Sequence, residues 1–303
     1  MARILVTDGM DKNAAEQLRK MGHELVEEHY EPEALKEQLK NFDATIIRSA
    51  TKIRQEIIDA ALETNKLKLI IRAGVGLDNI DVQYAMEHGI QVNNTPNASS
   101  SAVAELAIGH MFALSRYIYI SNVTMRNGEW NKKAYKGIEL AGKTLGLVGF
   151  GRIAKETAKK AKALGMNVIY TDIKGEQEGQ DSYKYASMEE LLKQSDFISL
   201  HIPFKKEIGA VISTKEFEMM KDGAYLVNCA RGGVVDEAAL LEALDSGKVS
   251  AAAIDVFEEE PTKNEKLYKH EKVSLTPHIG ASTKEAQARI GEEIIEIVQN
   301  FFE

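Results

Sequence analysis

The feature that most constrains this chain is the alternation, along most of its length, of short β-branched apolar runs with segments patterned as helices. Ile4-Leu5-Val6 precedes a helical pattern over 11–21 closed by Gly22, and Glu24-Leu25-Val26 precedes a helix from Glu31 with Pro32 in its first turn. Ala44-Thr45-Ile46-Ile47 precedes a helix over 55–62, a run over 67–71 precedes one over 81–88, and Gly89 leads into Ile90-Gln91-Val92. Strands alternating with helices predict a parallel sheet covered on both faces. A long helix is predicted over 99–125, with Val103, Leu106, Ala107, His110, Met111 and Leu114 at three-and-four spacing and no obvious break.

A second α/β unit then opens with Thr144-Leu145-Gly146-Leu147-Val148. It continues through Val168-Ile169-Tyr170, Phe197-Ile198-Ser199-Leu200, Tyr225-Leu226-Val227, Ala252-Ala253-Ile254 and Val273-Ser274-Leu275, six strands in all. Ser282-Thr283-Lys284-Glu285 reads as a capping box before a last helix with Ala286, Ile290, Ile294, Ile297 and Phe301 on one face, expected to return to the first domain. The expectation is an α/β protein of two Rossmann-like parallel-sheet domains. Residues 1–96 with 283–303 form a flavodoxin-like substrate domain, and residues 97–282 an inserted dinucleotide-binding domain.

Composition narrows the partners. A net charge of −8 over 303 residues argues against nucleic acid or an anionic membrane surface, which leaves small molecules. The single cysteine, Cys229, forms no internal disulfide, and with the seven histidines it shows no metal-ligand spacing, so no metal is expected. No apolar run approaches the ~20 residues that span a bilayer, and Asp8 interrupts the N-terminal run too early for a signal peptide, so the expected location is the cytoplasm.

Gly149-Phe150-Gly151-Arg152-Ile153-Ala154 follows a strand and opens a helix. The first glycine allows a tight turn, the second lets backbone approach a pyrophosphate, and Ala154 is small enough for close helix packing. Asp172, 23 positions after Gly149 at the end of the next strand, is placed to accept ribose hydroxyls and repel a 2′-phosphate, which favours NAD over NADP. Lys174 nearby softens that rejection. Arg231, Glu260 and His278 each follow an apolar strand, where ligands of open α/β sheets collect. A guanidinium grips a carboxylate with two parallel hydrogen bonds, and a Glu beside a His favours the imidazolium and orients it for proton exchange with a carbonyl or hydroxyl. Cys229 reads as a small residue against the cofactor, and His201, with Ile202 and Pro203, as a wall of its nicotinamide or ribose pocket. Trp130, His23, His29, His88, His110 and His270 read as packing or surface residues.

The segments 149–154, 228–237, 255–261 and 277–282 resemble the signatures of the NAD-dependent D-2-hydroxyacid dehydrogenases, and the likeness covers essentially the whole chain. Arg48-Ser49-Ala50-Thr51, Arg72-Ala73-Gly74-Val75-Gly76 and Asn94-Thr95-Pro96-Asn97 are most similar to the branch that oxidises D-3-phosphoglycerate in serine biosynthesis. The resemblance implies that Arg231 anchors substrate, Glu260 supports the acid–base residue and His278 exchanges the proton. It implies NAD contacts from Gly149, Gly151, Arg152, Ile153, Asp172, Cys229, Ala230, Asp255 and Gly280. Substrate contacts are implied for Arg48, Ser49, Arg72, Gly74, Val75 and Gly76, with Lys132 reaching the substrate phosphate across a homodimer built on the helix after Ser99. It implies an interdomain substrate cleft and, because the sequence stops at Glu303, no feedback through a regulatory domain. Reduction of glyoxylate, hydroxypyruvate or another 2-oxo acid is the nearest alternative, and a dinucleotide-sensing co-repressor a remote one.

Overall fold

A computed structural model describes residues 1–303, which divide into two compact units, Met1–Ser99 with Ala281–Glu303 and Ser100–Gly280. The first carries β1 (Arg3–Val6), α1 (Lys12–Lys20), β2 (Glu24–Glu27), α2 (Pro32–Leu39), β3 (Ala44–Ile47), α3 (Gln55–Leu62), β4 (Leu69–Arg72), α4 (Val82–Glu87) and β5 (Gln91–Asn94). Its five strands are parallel in the order β2-β1-β3-β4-β5. Successive side chains of a strand face opposite sides. Leu5, Ile47 and Ile70 therefore join Leu35 and Ile58 on one face, while Ile4, Val6, Ile46 and Leu69 line the other.

The second unit carries α5 (Ser100–Ser115), α6 (Ile118–Arg126), β6 (Thr144–Val148), α7 (Arg152–Ala163), β7 (Asn167–Thr171), β8 (Lys184–Tyr185), α8 (Met188–Gln194), β9 (Phe197–Leu200), α9 (Thr214–Met219), β10 (Ala224–Asn228), α10 (Glu237–Asp245), β11 (Val249–Ile254), α11 (Glu265–Tyr268) and β12 (Val273–Leu275). The parallel order is β12-β11-β10-β9-β6-β7-β8. Strand order reverses between β6 and β9, as it does between β1 and β3 in the first unit. Such switch points open a crevice beyond the strands' C-terminal ends. The last helix, α12 (Lys284–Phe302), belongs to the first unit, where Ile290, Ile294 and Val298 cover the sheet and Gly291 sits against α1 so closely that a Cβ would lie 2.6 Å from that of Ala14.

Three expectations are corrected. The second sheet has a seventh strand, β8, whose two residues, Lys184 and Tyr185, pair with Ile169 and Tyr170 at the edge and are too few to register as an apolar run. The helix predicted over 99–125 breaks after Ser115, where Tyr117 takes φ +55 without a glycine or proline to announce it. The apolar spacing that suggested one helix belongs to α5 alone: Val103, Ala107, His110, Met111 and Leu114 are buried in the unit's own core, whereas no residue of α6 is buried. Finally, α12 begins one residue later than the capping box implied, with Thr283 accepting the Ala286 N–H at 3.1 Å. No helix is long and apolar enough to cross a membrane.

Candidate active site

The β6–α7 turn lies at the switch point of the second sheet. Gly149 has φ +86, and a Cβ there would lie 2.6 Å from the backbone oxygen of His201, so only glycine lets this turn rest on the loop after β9. Gly151 has nothing within 4 Å of its Cβ position, and α7 lacks a side-chain cap. The N–H groups of the first turn, from Arg152 and Ile153 on, are left for an anion. The Asp172 carboxylate is drawn over the turn by the Phe150 N–H at 2.7 Å and the Lys174 N–H at 2.9 Å, beside an Ile173 side chain that is 96% exposed. An open glycine, an uncapped helix start and a strand-end carboxylate fit the pyrophosphate and ribose of a dinucleotide.

His201 bonds Ser199 Oγ at 3.0 Å, and burial pulls its pKa down to about 4, leaving the ring neutral. Ile202 lies against Gly149, whereas Pro203 is exposed. The buried Cys229 thiol is pushed up, first by burial and then by the charge of Asp255, which makes it a wall rather than a nucleophile.

Three neighbouring loops, after β10, β11 and β12, carry the polar set. Buried Asn228 clamps the first: its Oδ1 accepts the Ala230 N–H at 3.1 Å and its Nδ2 donates to the Arg231 oxygen at 3.0 Å. Arg231 Nη1 donates to the Ala230 oxygen at 2.6 Å. A Cβ on Gly232 would lie 1.7 Å from the Phe257 oxygen, so a bare glycine is what lets the Arg231 loop touch the Glu260 loop. Glu237 braces the contact, accepting the Glu258 N–H at 3.0 Å and Asn264 Nδ2 at 2.7 Å.

Glu260 accepts the Phe257 N–H at 3.2 Å through Oε1 and bonds His278 Nδ1 at 2.8 Å through Oε2, which leaves His278 Nε2 for another partner. Partial burial pushes the Glu260 carboxyl up, but the His278 hydrogen bond and charge, the Phe257 N–H and the Arg231 guanidinium together hold it below its ordinary value. His278 itself has φ +54, a strained conformation for a side-chain-bearing residue. Asp255, expected among the cofactor contacts, is 1% exposed and accepts Thr276 Oγ1 and the N–H groups of Ile279 and Gly280. Its carboxylate thus serves the loop that carries His278.

In the first unit, Asp8 follows β1 and Arg48 follows β3, on either side of that sheet's switch point. Asp8 Oδ2 accepts the Arg48 N–H at 2.7 Å and the Thr51 N–H at 3.1 Å, while Asn79 Nδ2 donates to both of their oxygens, at 2.7 and 2.6 Å. The loop is pinned from both sides, yet the half-buried Arg48 guanidinium makes no hydrogen bond or ion pair. Ser49 is exposed beside it. Gly74, at φ +146, lies beneath the Arg72 guanidinium, since a Cβ would be 1.4 Å from Arg72 Nη1. Asn94 Nδ2 holds the Val75 oxygen at 2.5 Å, and the Val75 and Gly76 N–H groups donate to nothing inside the unit, a pair suited to a carboxylate. Lys132 is exposed on the segment between α6 and β6.

Sequence reasoning gave no site role to Asp8, Asn79, Asn228 or Glu237, although Asn228 and Glu237 end the segment 228–237 that carries the family resemblance. Asp8 had a usable signal, its place directly after an apolar strand; the contact Glu237 makes had none, because its partner lies 21 positions away.

Residues 108–280 match the family described as "D-isomer specific 2-hydroxyacid dehydrogenase, NAD binding domain". The chain is 48% identical to hydroxypyruvate reductase of Thermotoga maritima over 97% of its own length and 96% of the relative's. It is 45% identical to D-3-phosphoglycerate dehydrogenase of Methanocaldococcus jannaschii over 99% of its own length, and it spans only 57% of that relative. Among solved structures, a glyoxylate reductase from Paecilomyes thermophila superposes with a TM-score of 0.89 at 34% identity, over 98% of this chain and 94% of the other.

Proposed function

The chain belongs to the D-isomer specific 2-hydroxyacid dehydrogenase family, and we propose that its substrate is D-3-phosphoglycerate, oxidised at C2 to 3-phosphohydroxypyruvate with NAD. The observation that carries the choice of acid is Arg48. A half-buried guanidinium with no internal partner, on a loop pinned by Asp8 and Asn79 at a switch point, is a built anion site, and a phosphate is the anion it suits best.

In this reading Arg231 grips the substrate and His278 Nε2 takes the C2 hydroxyl proton. Glu260, ionised and bonded to Nδ1, stabilises the imidazolium that results. Gly149, Gly151 and the start of α7 would hold the pyrophosphate of NAD and Asp172 its ribose, and the bound cofactor would supply the hydride acceptor for C2.

A second reading, reduction of hydroxypyruvate or glyoxylate, is favoured by the near full-length likeness to a hydroxypyruvate reductase. NADH consumption with 3-phosphohydroxypyruvate, hydroxypyruvate, glyoxylate and pyruvate in parallel separates the two. A preference in kcat/KM for the phosphorylated acid that collapses in Arg48→Ala supports the first reading. Equal or better turnover of an unphosphorylated acid supports the second, and tight NADH binding without turnover points to a sensor. We also infer a homodimer, through α6 and the segment after it, where Ile118, Val123, Met125 and Trp130 are 52%, 52%, 51% and 77% exposed. Light scattering on Val123→Glu/Met125→Glu tests it, since a mass equal to that of the wild type would remove this surface from the interface.

A further inference from the structure

His110 lies in the middle of α5 with 4% exposure, among Val103, Ala107, Met111 and Leu114. A polar ring persists in such surroundings where both nitrogens are partnered. Here they are: Nε2 is 3.0 Å from Thr276 Oγ1, and Nδ1 is 3.3 Å from Ser274 Oγ. The Thr276 hydroxyl donates to Asp255 Oδ1 at 2.6 Å, and Asp255 also accepts the Ile279 N–H at 2.9 Å and the Gly280 N–H at 3.0 Å.

The direction of every bond follows from Asp255, because a carboxylate only accepts. Thr276 gives its proton to Asp255, so its oxygen is left to accept. His110 is then the tautomer with the proton on Nε2, and its Nδ1 accepts from Ser274. Burial lowers the pKa of His110, opposed by the charge of Asp255, and so favours the neutral ring this chain of bonds uses. The bonds end on both sides of His278, at Thr276 before it and at Ile279 and Gly280 after it. His278 sits between them at φ +54, a conformation that persists where surrounding structure over-determines it.

We propose that His110 is a positioning residue for the acid–base pair: through Thr276 and Asp255 it holds segment 276–280 in the turn that keeps His278 Nδ1 2.8 Å from Glu260. The proposal concerns the dehydrogenase step and does not depend on which 2-oxo acid is the substrate. The test is steady-state reduction of whichever of the four acids above is turned over fastest. His110→Phe keeps a ring in the space and removes both bonds, whereas His110→Gln returns an N–H donor. His110→Phe is expected to lower kcat on the order of ten- to a hundredfold, with KM and NADH affinity within about twofold, because orientation rather than binding is lost. His110→Gln should recover most of the loss, and His110→Phe/Thr276→Val should be no slower than Thr276→Val alone, since both act on one chain. A folded His110→Phe enzyme with unchanged kcat overturns the proposal. So do equal losses in the Phe and Gln variants, or losses that multiply in the double variant. Should His110→Phe not fold, His110→Met against His110→Gln makes the same comparison: methionine fills the space without an N–H donor, glutamine restores the donor to Thr276, and equal activity in the two overturns it.

Discussion

Gly232→Ala is the sharpest test of how the site is assembled. The added methyl would sit 1.7 Å from the Phe257 oxygen, 2.2 Å from its carbon and 2.9 Å from the Glu258 nitrogen, all of them backbone atoms that have no rotamer to escape into. Reaching even the shortest contact that real Cβ atoms tolerate, 3.0 Å, requires the two loops to part by at least about 1.3 Å. One loop carries Arg231 and the other Glu260, so the parting separates the proposed substrate anchor from the carboxylate that bonds His278. A displacement of that size costs roughly a hundredfold in kcat/KM, about 2.7 kcal/mol of transition-state stabilisation. Overpacking adds a loss of fold stability of about 1–3 kcal/mol. NADH affinity should change less than about threefold, because Gly149, Gly151 and Asp172 lie on other loops. The assay pairs NADH consumption with NADH fluorescence titration and urea unfolding. A folded variant that keeps kcat/KM within about threefold of the wild type would refute the claim that this contact sets the site, and a parallel collapse of NADH binding would show the damage to be general.

Glu260→Gln should lower kcat by about ten- to a hundredfold with KM little changed, because the carboxylate that orients the His278 ring is gone; an unchanged kcat would remove Glu260 from the pair. In the wild type the Glu260 carboxyl is depressed, so its contribution to stability is full above its ordinary value of 4.5 and is lost as pH falls through the lower folded value, which urea midpoints at pH 6 and below will show as a loss absent from the Gln variant. His201 has the opposite origin: it is partly buried and neutral, with a pKa pulled down to about 4, so the unfolded chain binds the proton first and stability falls by about 1–3 kcal/mol as pH drops from 6.5 to 4. His201→Gln should flatten that slope, and an unchanged slope would place the effect elsewhere. Asp172→Ser should cut the preference for NADH over NADPH in kcat/KM by about tenfold or more, read from paired progress curves; unchanged preference would assign cofactor choice to other residues.

Much of this was legible in the sequence because parallel sheets impose a rule that needs no coordinates. Every strand of such a sheet ends at the same edge, so Arg231, Glu260 and His278, each just after an apolar run, had to share an edge once the alternation with helices was recognised. The glycine turn at 149–154 and the acid at 172 carried the dinucleotide reading in the same way. The edge strand β8 and the break at Tyr117 escaped, since two residues are too few to leave a periodic trace and a left-handed tyrosine carries no composition signal.

By itself the sequence determined the two-sheet plan and the sheet edge at which Arg231, Glu260 and His278 gather, both of which follow from local periodicity and strand polarity. Only the tertiary structure decided what holds those residues in place. Gly232 meets a backbone 25 positions away, Glu237 one 21 positions away, and His110 reaches hydroxyls 166 and 164 positions along the chain. His110 accordingly read as an ordinary helix residue, because a hydrogen bond depends on where two distant segments meet in space, and no local pattern encodes that meeting.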